Sequence, residues 1–266
     1  MKKKKVIVII IVVLLVTAAL CGFFFAQSYM TAKDEVSEYS EIQQKYTTIV
    51  SAPVYESNVS PDSAPAETIL LPCVLMDFDA LLLENPDTVG WLAIPDTVIN
   101  YPIVQTTDNF KYLNVSFLGK QSSAGAPFAN MDNNMRELDA NTVIYGHNMG
   151  LGRQDMFGAL LSYKNVDFYT AHRYIQFDTV YQTHGWWNVF AVISYDLSSD
   201  EFQYQQLRFA GSNEFMAWIE TAKGLSLYGG DTEISPDDHI LTLSTCDRSK
   251  YGKNGRLLVL AVDITD

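Results

Sequence analysis

Three residues have the chemistry of a nucleophilic site: Cys246, His147 and Arg256. Cys246 ends the run Ile240-Leu241-Thr242-Leu243-Ser244-Thr245, which reads as a strand, so its thiol stands where the chain enters a loop. An ordinary thiol, with a pKa of ~8.5, is mostly protonated at pH 7 and needs a base or a cation to act as a nucleophile. The chain has four histidines. His239 lies on the same strand as Cys246, seven residues earlier, which puts it on the opposite face and about 20 Å away. His172 and His184 sit beside or between strands and read as structural or surface residues. His147 comes directly after Gly146, at the end of the β-branched run Thr142–Tyr145, so an imidazole emerges just past a core strand. Arg256 lies ten residues after Cys246, across the loop Asp247–Gly255. If that loop joins neighbouring strands, guanidinium and thiol face one substrate, where the arginine can hold a peptide carbonyl or stabilise a tetrahedral oxyanion. Each residue alone has a plainer reading: a small buried hydrophobe, a satisfied structural histidine, or a strand-end charge paired with Asp247.

The elements around them are mostly strands. Gly90–Ile94 and Val98–Val104 flank a turn at Pro95-Asp96, and further strands are expected at Pro127–Asn130, Thr142–Tyr145, Tyr174–Thr179, Trp186–Tyr195, His239–Thr245 and Arg256–Ile264. Asp77 can cap a short helix through Leu83 that Asn85-Pro86 ends, and Met156–Tyr163 has helical spacing. Asn213–Lys223 fits an amphipathic helix with Phe215, Trp218 and Ile219 on one side and Gly224 as its stop. The class is mainly β, a barrel or sandwich with peripheral helices.

The 266 residues carry 18 Lys+Arg and 31 Asp+Glu, a net charge of −13. Lys2–Lys5 precede any acid, so the rest of the chain is more acidic still, which disfavours nucleic-acid partners. Three cysteines exclude a disulfide scaffold or a cysteine-built zinc domain, and the scattered histidines lack metal-ligand spacing, so no cofactor is expected. A Cys73–Cys246 bridge would consume the nucleophile, so Cys73 is expected to be free. The uncharged run Val6–Ala26 is long enough to cross a bilayer. With the lysines before it, it predicts a single-pass anchor, N-terminus cytoplasmic and the remainder outside, in preference to a cleaved signal peptide. Residues 27–68 are polar, with three prolines, and read as a stalk, helical near Lys33–Lys45. Residues 69–266 form the globular domain.

The run Thr242-Leu243-Ser244-Thr245-Cys246, an arginine ten residues on, and the upstream Tyr145-Gly146-His147-Asn148-Met149 resemble the sortases, cysteine transpeptidases of Gram-positive cell surfaces. Asn85-Pro86-Asp87 leading to Gly90-Trp91-Leu92, then Tyr101–Gln105, Asp108-Asn109, Met156-Phe157 and Leu161 are most similar to class B. The resemblance covers about residues 73–266. It implies an eight-stranded barrel, with one helix before the first strand and another between the sixth and seventh. It also implies His147, Cys246 and Arg256 as catalytic residues, with Thr245, Ser244 and Asn148 against the substrate. The implied reaction cleaves a C-terminal sorting motif of a surface protein through a thioacyl-enzyme and transfers it to an amine, on peptidoglycan or a pilin lysine. Two features depart from the family: Gly125–Asn130 is less apolar than the matching strand, and Asp247–Gly255 is short and polar. L,D-transpeptidases differ in having a Gly-Cys pair followed almost at once by Arg, and papain-like proteases place Cys before His. The non-enzymatic alternative is a membrane-tethered β-domain that binds a surface partner and keeps Cys246 buried.

Overall fold

The structure, a computed structural model, describes residues 2–54, 69–150, 152–181, 185–229 and 232–264; the side chains of residues 2–9, 12 and 24–34 are outside the description, as is His184. The chain divides into two compact units, Met1–Glu41 and Ile42–Asp266. Helix α1 covers Lys2–Tyr46. Among the described residues no helix is long and apolar enough to cross a membrane; the run Val6–Ala26 falls partly on undescribed side chains. The second unit begins inside the segment read as a stalk. Strand β1 (Thr47–Val54) pairs antiparallel with β2 (Ile69–Met76), and Val54 packs with Tyr174 and Trp186. Residues 55–68 lie outside the described residues.

Helix α2 (Phe78–Glu84) starts where the sequence places it: the Asp77 carboxylate accepts from the Ala80 amide at 3.0 Å, satisfying a first-turn N–H. Eight strands follow: β3 (Thr88–Ala93), β4 (Asn100–Val104), β5 (Phe128–Ala129), β6 (Asn141–Tyr145), β7 (Tyr174–Thr179), β8 (Trp186–Asp196), β9 (Ile240–Cys246) and β10 (Gly255–Asp263). They close into a barrel in the order β10-β8-β7-β3-β4-β5-β6-β9. β4/β5 and β6/β9 pair in parallel and the others antiparallel. Strands β3 and β7 are buried along their whole length, because their inner faces fill the barrel and their outer faces are covered. The strand over Pro127–Asn130 shrinks to Phe128–Ala129, in keeping with its weak apolar character.

Helix α3 (Val166–Ala171) precedes β7. Helix α4 (Ser212–Leu225) lies between the sixth and seventh barrel strands and buries Phe215, Trp218, Ile219 and Ala222, one face at helical spacing. The sequence suggests Gly224 as its stop, but the helix passes through that residue. The helix runs one residue further and ends at Ser226, whose hydroxyl accepts from the Val192 amide of β8 at 3.0 Å; that tertiary anchor outweighs a local glycine signal. The helical spacing over Met156–Tyr163 becomes a 3-10 segment, Phe157–Lys164. The loop Asp247–Gly255 contains the short helix α5 (Arg248–Tyr251) and a 3-10 turn at Gly252–Asn254.

Candidate active site

Strand register brings the three residues together. In the antiparallel β9/β10 pair, Arg256 stands directly opposite Cys246. Residues opposed in this way project from the same face with Cβ atoms about 4.5–5.5 Å apart. In the parallel β6/β9 pair, Tyr145 is the partner of Ser244. His147 is two residues beyond the first and Cys246 two beyond the second, so both leave the barrel at the same end. Cys246, His147 and Arg256 line one cleft of about 360 Å³, with Leu113, Tyr204 and Gln205 among its other walls. The thiol is half-buried, and all three cysteines are free, Cys73 included.

The His147 imidazole is held from outside the strand. Its Nε2 lies 2.8 Å from the Leu113 carbonyl oxygen, which can only accept, so Nε2 carries the proton and Nδ1 the lone pair. Leu113 ends a short 3-10 turn (Lys111–Leu113) that Asp108 initiates by accepting from the amides of Phe110 and Lys111 at 2.7 and 2.8 Å. Those amide bonds hold the Asp108 carboxyl below its usual pKa. The other described histidines are structural: His172 meets the Pro95 carbonyl at 3.1 Å and His239 the Asp139 carbonyl at 3.0 Å.

Gly146 lets the strand end approach Phe157. A Cβ there would enter the Phe157 ring, which is fully buried. Gly146→Ala is expected to cost about 1–3 kcal/mol by overpacking. Urea denaturation checks this, and Phe157→Leu in the same chain should recover part of the loss.

Of the residues expected to face substrate, Thr245 and Asn148 also bond the scaffold. Thr245 and Ser244 line the cleft but are each 2% exposed, and the Thr245 hydroxyl donates to the Gly146 carbonyl at 2.9 Å. The Asn148 side chain donates to the Cys246 carbonyl at 2.8 Å and accepts from the Gly150 amide at 2.9 Å. The Thr245 and Asn148 bonds lash the end of β6 to the end of β9 and fix imidazole and thiol relative to one another.

Arg256 has no carboxylate partner among the described residues; its Nη1 donates to the Gly255 and Lys253 carbonyls at 2.9 and 3.3 Å. Asp247, which the sequence allowed as its partner, pairs instead with Lys164 at 2.7 Å and accepts from the Ser249 amide and hydroxyl at 3.0 and 2.7 Å. Among the described residues Arg256 is thereby left as a cation without a counter-charge in the cleft wall. Burial disfavours the Asp247 carboxylate, but the bonds from Lys164 and Ser249 outweigh it and leave the pKa below the ordinary value. A depressed folded pKa stabilises the fold above the unfolded value of ~3.9 and loses that contribution as pH falls through the lower folded value. Thermal melts should therefore show Asp247→Asn less stable than the parent at neutral pH, with the gap narrowing below about pH 4.

Several site residues carry no sequence signal of their own. The Leu113 carbonyl acts through its backbone, and Tyr204 and Gln205 belong to the long connection between β8 and α4. Burial, with a hydrogen bond to Ser244 acting against it, pushes the Tyr204 phenol up to about 12, so it stays neutral in the wall. The Tyr145 hydroxyl accepts from Gln205 at 2.6 Å and from Asn130 at 2.9 Å, bracing the same wall.

A sortase domain profile matches residues 92–264. Sortase B of Listeria monocytogenes is 38% identical over 178 residues, covering 66% of this chain and 69% of the relative. Sortase B of Staphylococcus aureus is 28% identical over 240 residues, covering 90% and 89%. The solved S. aureus sortase B–substrate complex superposes with a TM-score of 0.69 at 25% identity, covering 89% of this chain and 99% of that one. Closed barrel, profile and relatives agree, and the chain belongs to the sortase family, as a class B cysteine transpeptidase.

Proposed function

We propose that this protein is anchored in the cell membrane by its N-terminal helix and that its outer domain transfers surface proteins from a C-terminal sorting motif to an amine. The observation that carries the reading is the placement of Cys246, His147 and Arg256 on one cleft at the common end of β6, β9 and β10. The lysines before the apolar run support the anchor and its orientation.

Nδ1 of His147 takes the thiol proton, and the Cys246 sulfur attacks the scissile carbonyl carbon. Arg256 faces the oxyanion that develops. The C–N bond then breaks, His147 returns the proton to the leaving amine, and a thioester remains on Cys246. An incoming amine attacks this thioester, gives its proton to His147 and displaces the sulfur. One amide replaces another, so no external energy source is required. Ser244, Thr245 and Asn148 lie against the bound motif, and the bonds of Thr245 and Asn148 also hold the wall in place.

The test is a library of sorting-motif peptides offered to the full chain with triglycine, the ligand in one solved sortase B. Mass spectrometry should find a peptide joined to triglycine and a thioester on Cys246, and neither with Cys246→Ala. Continued cleavage by that variant would sink the assignment, as would wild-type protein that acylates with none of the peptides. A peptidoglycan stem peptide set against a pilin-derived lysine peptide then distinguishes wall anchoring from pilin joining.

A further inference from the structure

Beside the catalytic residues, the 3-10 segment Phe157–Lys164 touches both loops of the site. At its start, the Phe157 amide donates to the His147 carbonyl at 2.9 Å, and the Phe157 ring fills the space beside Gly146. At its end, Lys164 Nζ donates to Asp247 Oδ2 at 2.7 Å and to Ser249 Oγ at 2.9 Å. Asp247 directly follows Cys246 and its side chain is 3% exposed. Its amide donates to the Gly255 carbonyl at 3.0 Å, and Gly255 directly precedes Arg256. The contact is so close that a Cβ on Gly255 would collide with the Asp247 carbonyl. A shift of Asp247 must therefore move the nucleophile and the arginine together.

We propose that Lys164 is a positioning residue for transpeptidation, clamping Asp247 so that the strut which supports His147 also fixes Cys246 and Arg256. The proposal rests on the roles given to those three residues above. Lys164 is one-third exposed, so its ion pair alone contributes little to global stability. What it prevents is a buried carboxylate left unpaired beside the nucleophile, which would pull the loop toward water. Misplacement of reacting groups by about 1 Å can cost about 100-fold in rate, so a smaller displacement suffices for a clear kinetic effect.

Two readouts on the full chain separate positioning from simple stabilisation. For Lys164→Met, assayed well below its own melting temperature, kcat with a cleaved sorting-motif peptide should fall about tenfold, with KM changed less than about twofold. Lys164→Arg, which can still reach Asp247, should recover most of the loss. The second readout is the rate at which iodoacetamide alkylates Cys246, followed on its own proteolytic peptide. It should change in Lys164→Met and return in Lys164→Arg. Because it needs no sorting motif, it tests the clamp even if the substrate assignment fails. Asp247→Asn should reproduce the fall in kcat and the change in alkylation of Lys164→Met, though not its melting temperature, and serves if that variant does not fold. Wild-type kcat and alkylation in both charge-removing variants would overturn the proposal. So would an arginine variant as impaired as the methionine one.

Discussion

Arg256→Lys should lower kcat with a sorting-motif peptide about 100- to 1,000-fold, the range seen when one oxyanion donor is removed. The expectation follows from register. Arg256 is the cross-strand partner of Cys246, so its head group shares the face from which the thiol emerges. Among the described residues its bonds run through Nη1, to the Gly255 and Lys253 carbonyls, which leaves Nη2 and Nε to donate to a substrate. Lysine keeps the charge and loses the fork: one ammonium on a flexible stem cannot bond those two carbonyls while also facing a developing oxyanion. The loss should fall mainly on kcat, because a tetrahedral oxyanion exists only near the transition state. Alkylation of Cys246 should persist in this variant, since the thiol and its histidine remain. A lysine variant with more than about a tenth of the parent kcat would show that Arg256 binds the ground state only.

The fold was readable where local and tertiary signals agreed. Trp186–Tyr195 and Ile240–Thr245 are β-branched and apolar on both faces, and both are buried barrel strands. Asp77 announced α2 because a cap is a local interaction. The end of α4 is not legible at Gly224, because Ser226 just beyond the helix is anchored by Val192, far away in sequence. The same division runs through the site. The meeting of Cys246, His147 and Arg256 on one cleft was legible because side-chain type, chain order and a short loop already limit where they can go. Leu113 could not, since any residue offers a carbonyl and only the fold says which one meets an imidazole. Lys164 was invisible for a similar reason: its partner lies 83 positions away, and the nearer-looking pairing of Arg256 with Asp247 does not form. Ser244, Thr245 and Asn148 stand out in the sequence only by their place in the motif. Thr245 and Asn148 use polar atoms on backbone groups at the ends of β6 and β9, a use that only the fold reveals.

His147→Gln should reduce turnover by about 100- to 10,000-fold, the usual contribution of a positioned general acid–base, while leaving the fold intact. Glutamine is chosen over alanine because its amide nitrogen falls near the place of Nε2 and can keep the bond to the Leu113 carbonyl. The substitution therefore preserves the tether and removes only the group proposed to exchange protons. With Nε2–H committed to Leu113, proton transfer in the wild type must run through Nδ1. Nitrogen NMR on labelled histidine should show His147 Nε2 protonated in the neutral ring. A neutral ring protonated at Nδ1 would contradict the tether and with it this mechanism. A glutamine variant that melts like the parent yet turns over slowly assigns the loss to proton transfer. If it instead kept activity within about tenfold, the imidazole would be only a support for the β6 end, and the base would have to be sought elsewhere in the cleft.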